Sequence, residues 1–272
     1  MLLLLLFLAG CRAGEVTVER HAHTKGPGAA ARVLFIAGPD SHGPLAHEHE
    51  AGTRLLSSAL RQRRPDLETI EVYGGWPEDE TVFEGIDAVV MYCDGGRGHL
   101  INDHLQTFGR LLDAGVGVTA LHYCVEVPKG GDEAANLLRA IGGYFETHWS
   151  VNPHWEADFA SLPPHPIAAG ISPFKMLDEW YFNMRFLDKG VTPVLSAVAP
   201  AHTMERRNGP HSGNEAVRKL VAAGVPQVVA WAFERPGGGR GFGYTGGHFH
   251  HNWQDDNARE LVLNAIEWTT AK

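Results

Sequence analysis

The chain is short of cysteine and of positive charge, and it lacks any apolar run of membrane-spanning length. Three cysteines in 272 residues cannot build a disulfide framework. Lys+Arg number 23 against 32 Asp+Glu, a formal net charge of -9, and no basic run stands out. That balance makes the chain a poor candidate for recognising a nucleic-acid backbone. The apolar stretch at residues 2–8 is too short to cross a bilayer as a helix. There is no Walker A sequence, no Gly-x-Ser-x-Gly elbow and no His-Glu-x-x-His. The glycine-rich stretches at 95–98 and 237–241 lack the strand–glycine–helix setting of a dinucleotide fingerprint, so no nucleotide cofactor is expected. No internal repeat is visible.

What is present is an ordinary globular composition, 44% hydrophobic and 20% charged, with one excess. Sixteen residues are histidine, the commonest metal ligand and the side chain that titrates near neutrality. Residues 2–8 have the length of a signal-peptide core. The following Leu8-Ala9-Gly10-Cys11 resembles a bacterial lipobox, which implies export and a membrane anchor through a lipid on Cys11. Residues 12–31 then read as a tether, so the expected division is 1–31 for leader and tether and 32–272 for one folded domain. Cys93 and Cys124 both follow apolar runs. They read as buried free thiols, or as a bridge if their strands are neighbours.

Apolar runs at 32–37, 69–73, 86–92 and 116–122 predict strands. Helical spacing at 46–63, 101–114 and 132–141 fills the gaps between them. This alternation predicts an α/β fold with a mostly parallel, doubly wound sheet covered by helices on both faces. Further strands are expected at 155–159, 193–198, 227–233 and 241–245. Further helices are expected at 214–223 and 256–269, the last capped by Asp255.

In such sheets ligands bind beyond the carboxyl ends of the strands. Four strand ends carry imidazoles or carboxylates: His47 and His49 after the first, Asp94 and His99 after the third, His122 after the fourth, and His248, His250 and His251 after 241–245. His47 and His49 lie two apart and cannot face one point from a helix, so one of them contacts solvent or the helix terminus. If 248–251 is extended, His248 and His250 share a face and His251 opposes them, a metal half-site. The alternative for each histidine is a satisfied core or loop residue. Asp178-Glu179-Trp180-Tyr181 sets two acids beside aromatics, the surroundings of a general acid or base or of a sugar ring. The alternative there is a turn with two surface acids.

The same residues carry a family likeness. Val118-Thr-Ala-Leu-His122 with Tyr-Cys-Val-Glu126, then Gly142-Gly-Tyr-Phe-Glu-Thr-His148, Asp178-Glu-Trp-Tyr181 and Gly241-Phe-Gly-Tyr-Thr-Gly-Gly-His248 resemble the ThuA-like (trehalose-utilisation) family from about residue 32 to the end. The resemblance implies a flavodoxin-like fold of the class I glutamine amidotransferase type. It places His122 where amidotransferases carry a cysteine on a sharp turn after a central strand. An imidazole there cannot form the acyl intermediate, so amidotransferase activity is not implied. The family implies glycosides and 3-keto-glycosides made by a partner sugar dehydrogenase.

The expectation is therefore an exported carbohydrate-active enzyme, working by hydrolysis or elimination. His47, His122 and His248 are the expected ligands of a divalent metal, zinc above all. Glu179 is the expected general base or acid, supported by His148 and Asp94. Asp178, Tyr181, Trp155, His250 and Trp253 are the expected substrate contacts. The partners expected are a small sugar and a sugar dehydrogenase, with no nucleic acid and no membrane contact beyond the anchor. Its rivals are a sugar-binding lipoprotein without chemistry, a metal-dependent amide or ester hydrolase, and a structural partner in a dehydrogenase complex.

Overall fold

The computed structural model describes residues 15–22 and 28–271; the lipobox cysteine, Cys11, lies outside them. In chain order the main elements begin with β1 (Thr17–His21), β2 (Arg32–Ala37), α1 (His49–Arg63), β3 (Glu68–Tyr73) and β4 (Ala88–Tyr92). Next come α2 (Leu105–Asp113), β5 (Gly117–Leu121), α3 (Asp132–Ile141), β6 (Gly143–Tyr144), β7 (Trp155–Phe159), β8 (Phe174–Asp178) and β9 (Arg185–Phe186). The chain closes with β10 (Val191–Ala197), α4 (Glu215–Ala222), β11 (Gln227–Glu234), β12 (Arg240–Tyr244) and α5 (Asp256–Thr270).

One eight-stranded sheet has the order β1-β3-β2-β4-β5-β12-β11-β10. Its five central strands are parallel. Numbered along the chain, those five run 2-1-3-4-5, the flavodoxin-like arrangement. Their side chains alternate between two buried faces. Val33 and Phe35 of β2 join Leu56 and Leu60 of α1 and Leu261 and Ile266 of α5. Leu34 and Ile36 join Phe108 and Leu112 of α2 and Leu137 and Ile141 of α3. Burial on both faces explains why the central strands read as unbroken apolar runs.

Asp255 caps α5 as expected, accepting from the Ala258 N–H at 3.0 Å. Asn214 does the same for α4 through Val217, also at 3.0 Å. The tether expectation fails for residues 17–21, which form β1, antiparallel to β3 at the sheet edge. The charged strand Thr17-Val-Glu-Arg-His hides its signal because it is held by ion pairs, His21 to Glu71 and Glu19 to Arg54, rather than by apolar burial. β8 was not expected. Phe174, Met176 and Asp178 point inward, but the outward Leu177 spoils the alternation and is 53% exposed. β8 pairs antiparallel with β7 in a separate two-stranded sheet that carries Asp178 to the ends of the central strands. Among the described residues no helix is long and apolar enough to cross a membrane.

Gly241 sits where β12 passes under α3. A Cβ there would lie 2.2 Å from the Ala140 carbonyl and 2.7 Å from Ile141 Cα, backbone that cannot move aside. Gly241→Ala should cost about 1–3 kcal/mol in urea unfolding. Gly237→Ala, with no atom within 4 Å, should stay within about 0.5 kcal/mol of the parent.

Candidate metal centre

The loops after β2, β4, β5 and β12 meet at one rim of the sheet. His122 is the first residue after β5 and turns sharply, with φ of 54°, the turn that the family likeness places here. His47, in the loop before α1, has φ of 49°. Left-handed backbone is uncommon for residues other than glycine and costs of order 1–3 kcal/mol. Both imidazoles are therefore held in place by the surrounding fold rather than by local preference. Gly38 lets the first loop pass β4, since a Cβ there would fall 2.7 Å from that of Cys93.

The three imidazoles converge. His47 Nε2 lies 3.0 Å from His248 Nδ1 and 3.0 Å from His122 Nε2. His248 Nδ1 lies 3.3 Å from His122 Nε2. Glu179 Oε2 stands 3.3 Å from His248 Nδ1 and 3.7 Å from His122 Nε2. Tyr181 Oη is 3.2 Å from His122 Nε2.

The outer nitrogens fix the tautomers. His122 Nδ1 faces the Thr245 carbonyl at 2.8 Å, which can only accept, so that nitrogen carries the hydrogen and Nε2 presents a lone pair. His47 Nδ1 faces Asp94 Oδ1 at 2.9 Å. Burial alone would raise the Asp94 carboxyl, but hydrogen bonds from His47 and Ser41 hold it below its usual range. Asp94 is thus a carboxylate that accepts, and His47 Nε2 is the second lone pair. Burial, reinforced by the neighbouring His47, pushes His122 well below its ordinary pKa and keeps it neutral.

Two lone pairs and a carboxylate oxygen at one point form a donor set that suits a cation. Protons can satisfy the two lone pairs: His248 donating to His47, and Tyr181 donating to His122. Glu179 Oε2 stands at the same point, while Asn152 Nδ2 donates to its other oxygen. The three imidazole nitrogens suit a divalent cation as ligands, with Glu179 Oε2 beside the position they leave open. Zn–N bonds of 2.0–2.1 Å place tetrahedral ligands roughly 3.3 Å apart, and the three imidazole nitrogens stand 3.0 to 3.3 Å from one another. Orientation of an imidazole by a carboxylate or carbonyl on its far nitrogen, as at His47 and His122, is the usual support of a metal site.

Two cavities open on the cluster. One, of about 120 Å³, is lined by His42, His47, Tyr123, Glu179, Tyr181 and His211. The other, of about 330 Å³, is lined by Asn152, His154, Glu179, His202 and Arg206. Glu179 borders both, and its Oε1 is held by Asn152 Nδ2 at 3.0 Å. A larger apolar cavity of about 530 Å³ surrounds the Pro236 turn and Leu138 and has no imidazole in its wall.

Several expected site residues lie elsewhere. Trp155 and Trp253 are sealed in the core, 1% exposed, because large aromatics are the core's main volume. Trp155 spends its N–H on the Trp180 carbonyl. Asp178 is fully buried and accepts from Gly247, His248 and Glu179 N–H groups and from Asn252, at 2.7 to 3.0 Å. It anchors the loop that carries His248 and cannot reach a substrate. Burial raises its pKa, and these donors oppose the rise. His250 opens a short 3-10 turn spanning His250–Gln254, so the extended alternation ends before it. It approaches Glu48 at 3.7 Å instead. His148 is exposed and joins the cluster through no side-chain contact; its N–H bonds the Pro210 carbonyl. His49 begins α1, is buried, and meets the Pro39 carbonyl.

Cys93 and Cys124 are free and buried, with His99 beside Cys124. His99 Nδ1 accepts from the Ile101 N–H, which puts the ring hydrogen on Nε2, toward the Cys124 carbonyl. A nitrogen that carries a hydrogen is no ligand, so this cluster is core. Sequence reading gave no site role to Tyr123, Asn152, His154, His202, Arg206 or His211. Most stand on irregular segments, where no period marks them.

The two adjacent acids should separate cleanly. Asp178→Ala leaves the buried Gly247 and His248 N–H groups without an acceptor and removes two further hydrogen bonds, and should cost more than about 3 kcal/mol in urea unfolding. Glu179→Gln, at the cavity wall, should change stability by about 1 kcal/mol or less.

Two solved ThuA-like structures share this fold. A putative ThuA-like protein from Bacteroides uniformis superposes with a TM-score of 0.58 at 12% identity, covering 93% of this chain and 96% of that one. One from Parabacteroides merdae gives 0.56 at 16% identity, covering 89% and 90%. A glutamine amidotransferase from Thermotoga maritima gives 0.47 at 9% identity, covering 89% and 99%. No curated protein matches the chain. The family model ThuA, described as trehalose utilisation, matches residues 32–269, and on that match the chain belongs to the ThuA family.

Proposed function

We propose that this chain is a metal-dependent, carbohydrate-active enzyme that cleaves glycosides or 3-keto-glycosides at the His47–His122–His248–Glu179 cluster. The observation that carries the reading is the convergence of three imidazole nitrogens and a carboxylate oxygen, two of the nitrogens having their hydrogens committed outward. The family description, trehalose utilisation, supports a sugar as substrate. The polar cavity walls support it too, since hydroxyl groups need donors and acceptors on several sides.

A divalent first-row ion, zinc above all, would polarise a sugar carbonyl or hydroxyl oxygen when bound. The rest falls to the chain. His47, His122 and His248 hold the site, with Asp94 and the Thr245 carbonyl fixing the first two rings. Glu179 takes a proton from the carbon beside a keto group, the acidified C–H of a 3-keto sugar. Tyr181 Oη donates at the same edge. A two-carboxylate glycosidase route would need a second placed acid. With Asp178 sealed by its four hydrogen bonds, the base-and-metal route is the better supported.

Export and anchoring through Cys11, and supply of the keto sugar by a sugar dehydrogenase, belong to the same proposal. Binding without turnover is its main rival, and amide or ester hydrolysis its second.

Elemental analysis of purified protein should find about one divalent ion per chain. His47→Gln and His248→Gln should each reduce it to near zero while the fold persists. Chelation should abolish turnover of a 3-keto-glucoside and addition of the ion should restore it. Metal-free protein with full activity refutes the metal reading; tight sugar binding with no product supports the binding rival.

A further inference from the structure

We propose that His211, held by Glu126, is a catalytic residue that gives the departing glycosidic oxygen its proton. This rests on the reading of the cluster as a sugar-cleaving centre and adds the acid which that reading lacks.

Glu126 is 2% exposed, four residues beyond His122. Its two carboxylate oxygens lie 2.9 and 3.1 Å from His211 Nε2. A carboxylate only accepts, so Nε2 is the donor. The ring stacks on Phe145, with centroids 5.2 Å apart and planes at 24°. Carboxylate and aromatic together fix its direction. Nδ1 has no partner among the described residues. The ring borders the same 120 Å³ cavity as His47, Glu179 and Tyr181, so a sugar on the cluster has His211 within reach.

The pair is not needed to fix its loop. Backbone bonds already do that: His148 N–H to the Pro210 carbonyl at 2.6 Å and Asn152 N–H to the His211 carbonyl at 3.0 Å. A carboxylate buried behind an imidazole at a cavity wall is the arrangement of a positioned acid or base. The pairing favours the protonated imidazole. The hydrogen bond that His211 donates to Glu126 raises the imidazole above its ordinary pKa, with Glu179 adding to the rise and burial and Arg206 opposing it. Burial raises Glu126, with His211 opposing.

The step balances without an oxidant or reductant. The glycosidic C–O bond breaks with its electron pair on the leaving oxygen, and the proton on His211 Nδ1 moves to that oxygen. In elimination the hydrogen on the neighbouring carbon goes to Glu179, and the C–H pair becomes the new C=C bond. Solvent takes the proton from Glu179 and returns one to His211.

The test compares methyl and 4-nitrophenyl 3-keto-glucosides, which differ in whether the leaving oxygen needs a proton. His211→Asn should lower kcat/KM on the methyl glycoside by about 10²–10⁴-fold. The loss on the 4-nitrophenyl glycoside should be less than about tenfold, because nitrophenolate leaves unprotonated. Bound metal should be unchanged. Glu126→Gln should show the same split more weakly, and it stands in if the histidine variant fails to fold. Equal losses on both substrates, or no loss, overturn the role of His211 and leave the metal centre intact. Parent protein that turns over neither substrate overturns the role and the enzyme reading together.

Discussion

The site is governed by one electrostatic demand. Imidazole lone pairs on His47 and His122 point at each other across 3.0 Å, with Glu179 Oε2 close by, and each needs a donor or a cation among them. The demand is imposed from outside the cluster. Asp94 and the Thr245 carbonyl take the outward hydrogens, so neither ring can turn its N–H inward without breaking a bond that also closes a loop. Asp178 pins the backbone of His248 from below. The fold therefore holds donors at mutual distances they would not adopt unaided.

Topology makes this affordable. Crossing from one parallel strand to the next leaves loops at the carboxyl edge, and the loops after β2, β4, β5 and β12 each contribute one polar group to the rim. The antiparallel pair β7–β8 then brings Glu179 and Tyr181 in from the side. Left-handed backbone at His47 and His122 is the local cost of aiming both rings at one point. Across the cavity, the segment between β10 and α4 supplies His202, Arg206 and His211. The two halves of the site thus come from different parts of the fold, the rigid sheet rim and an irregular cover.

Much of this was legible before any coordinates. Strands buried on both faces announce themselves as apolar runs, and a histidine directly after such a run, as at His122, has nowhere to go but the rim. The same logic found His47, Asp94 and His248. It failed where residue type was read without burial. Trp155 and Trp253 look like sugar-stacking residues, yet their size made them core. Asp178 and Glu179 are adjacent acids that a strand end sends opposite ways, one into the interior and one to the cavity. His250 was placed by an alternation that the chain abandons for a 3-10 turn. His211 carries no periodic cue, and only its buried partner Glu126, far away in sequence, reveals it.

The central claim is a cation held by these donors, and anomalous diffraction at a metal absorption edge from crystals of protein purified without chelator tests it most directly. The account predicts one strong peak at about 2.0–2.2 Å from His47 Nε2, His122 Nε2 and His248 Nδ1. Density at that point that lacks anomalous signal, with the imidazoles bonded to one another or to water, would contradict it.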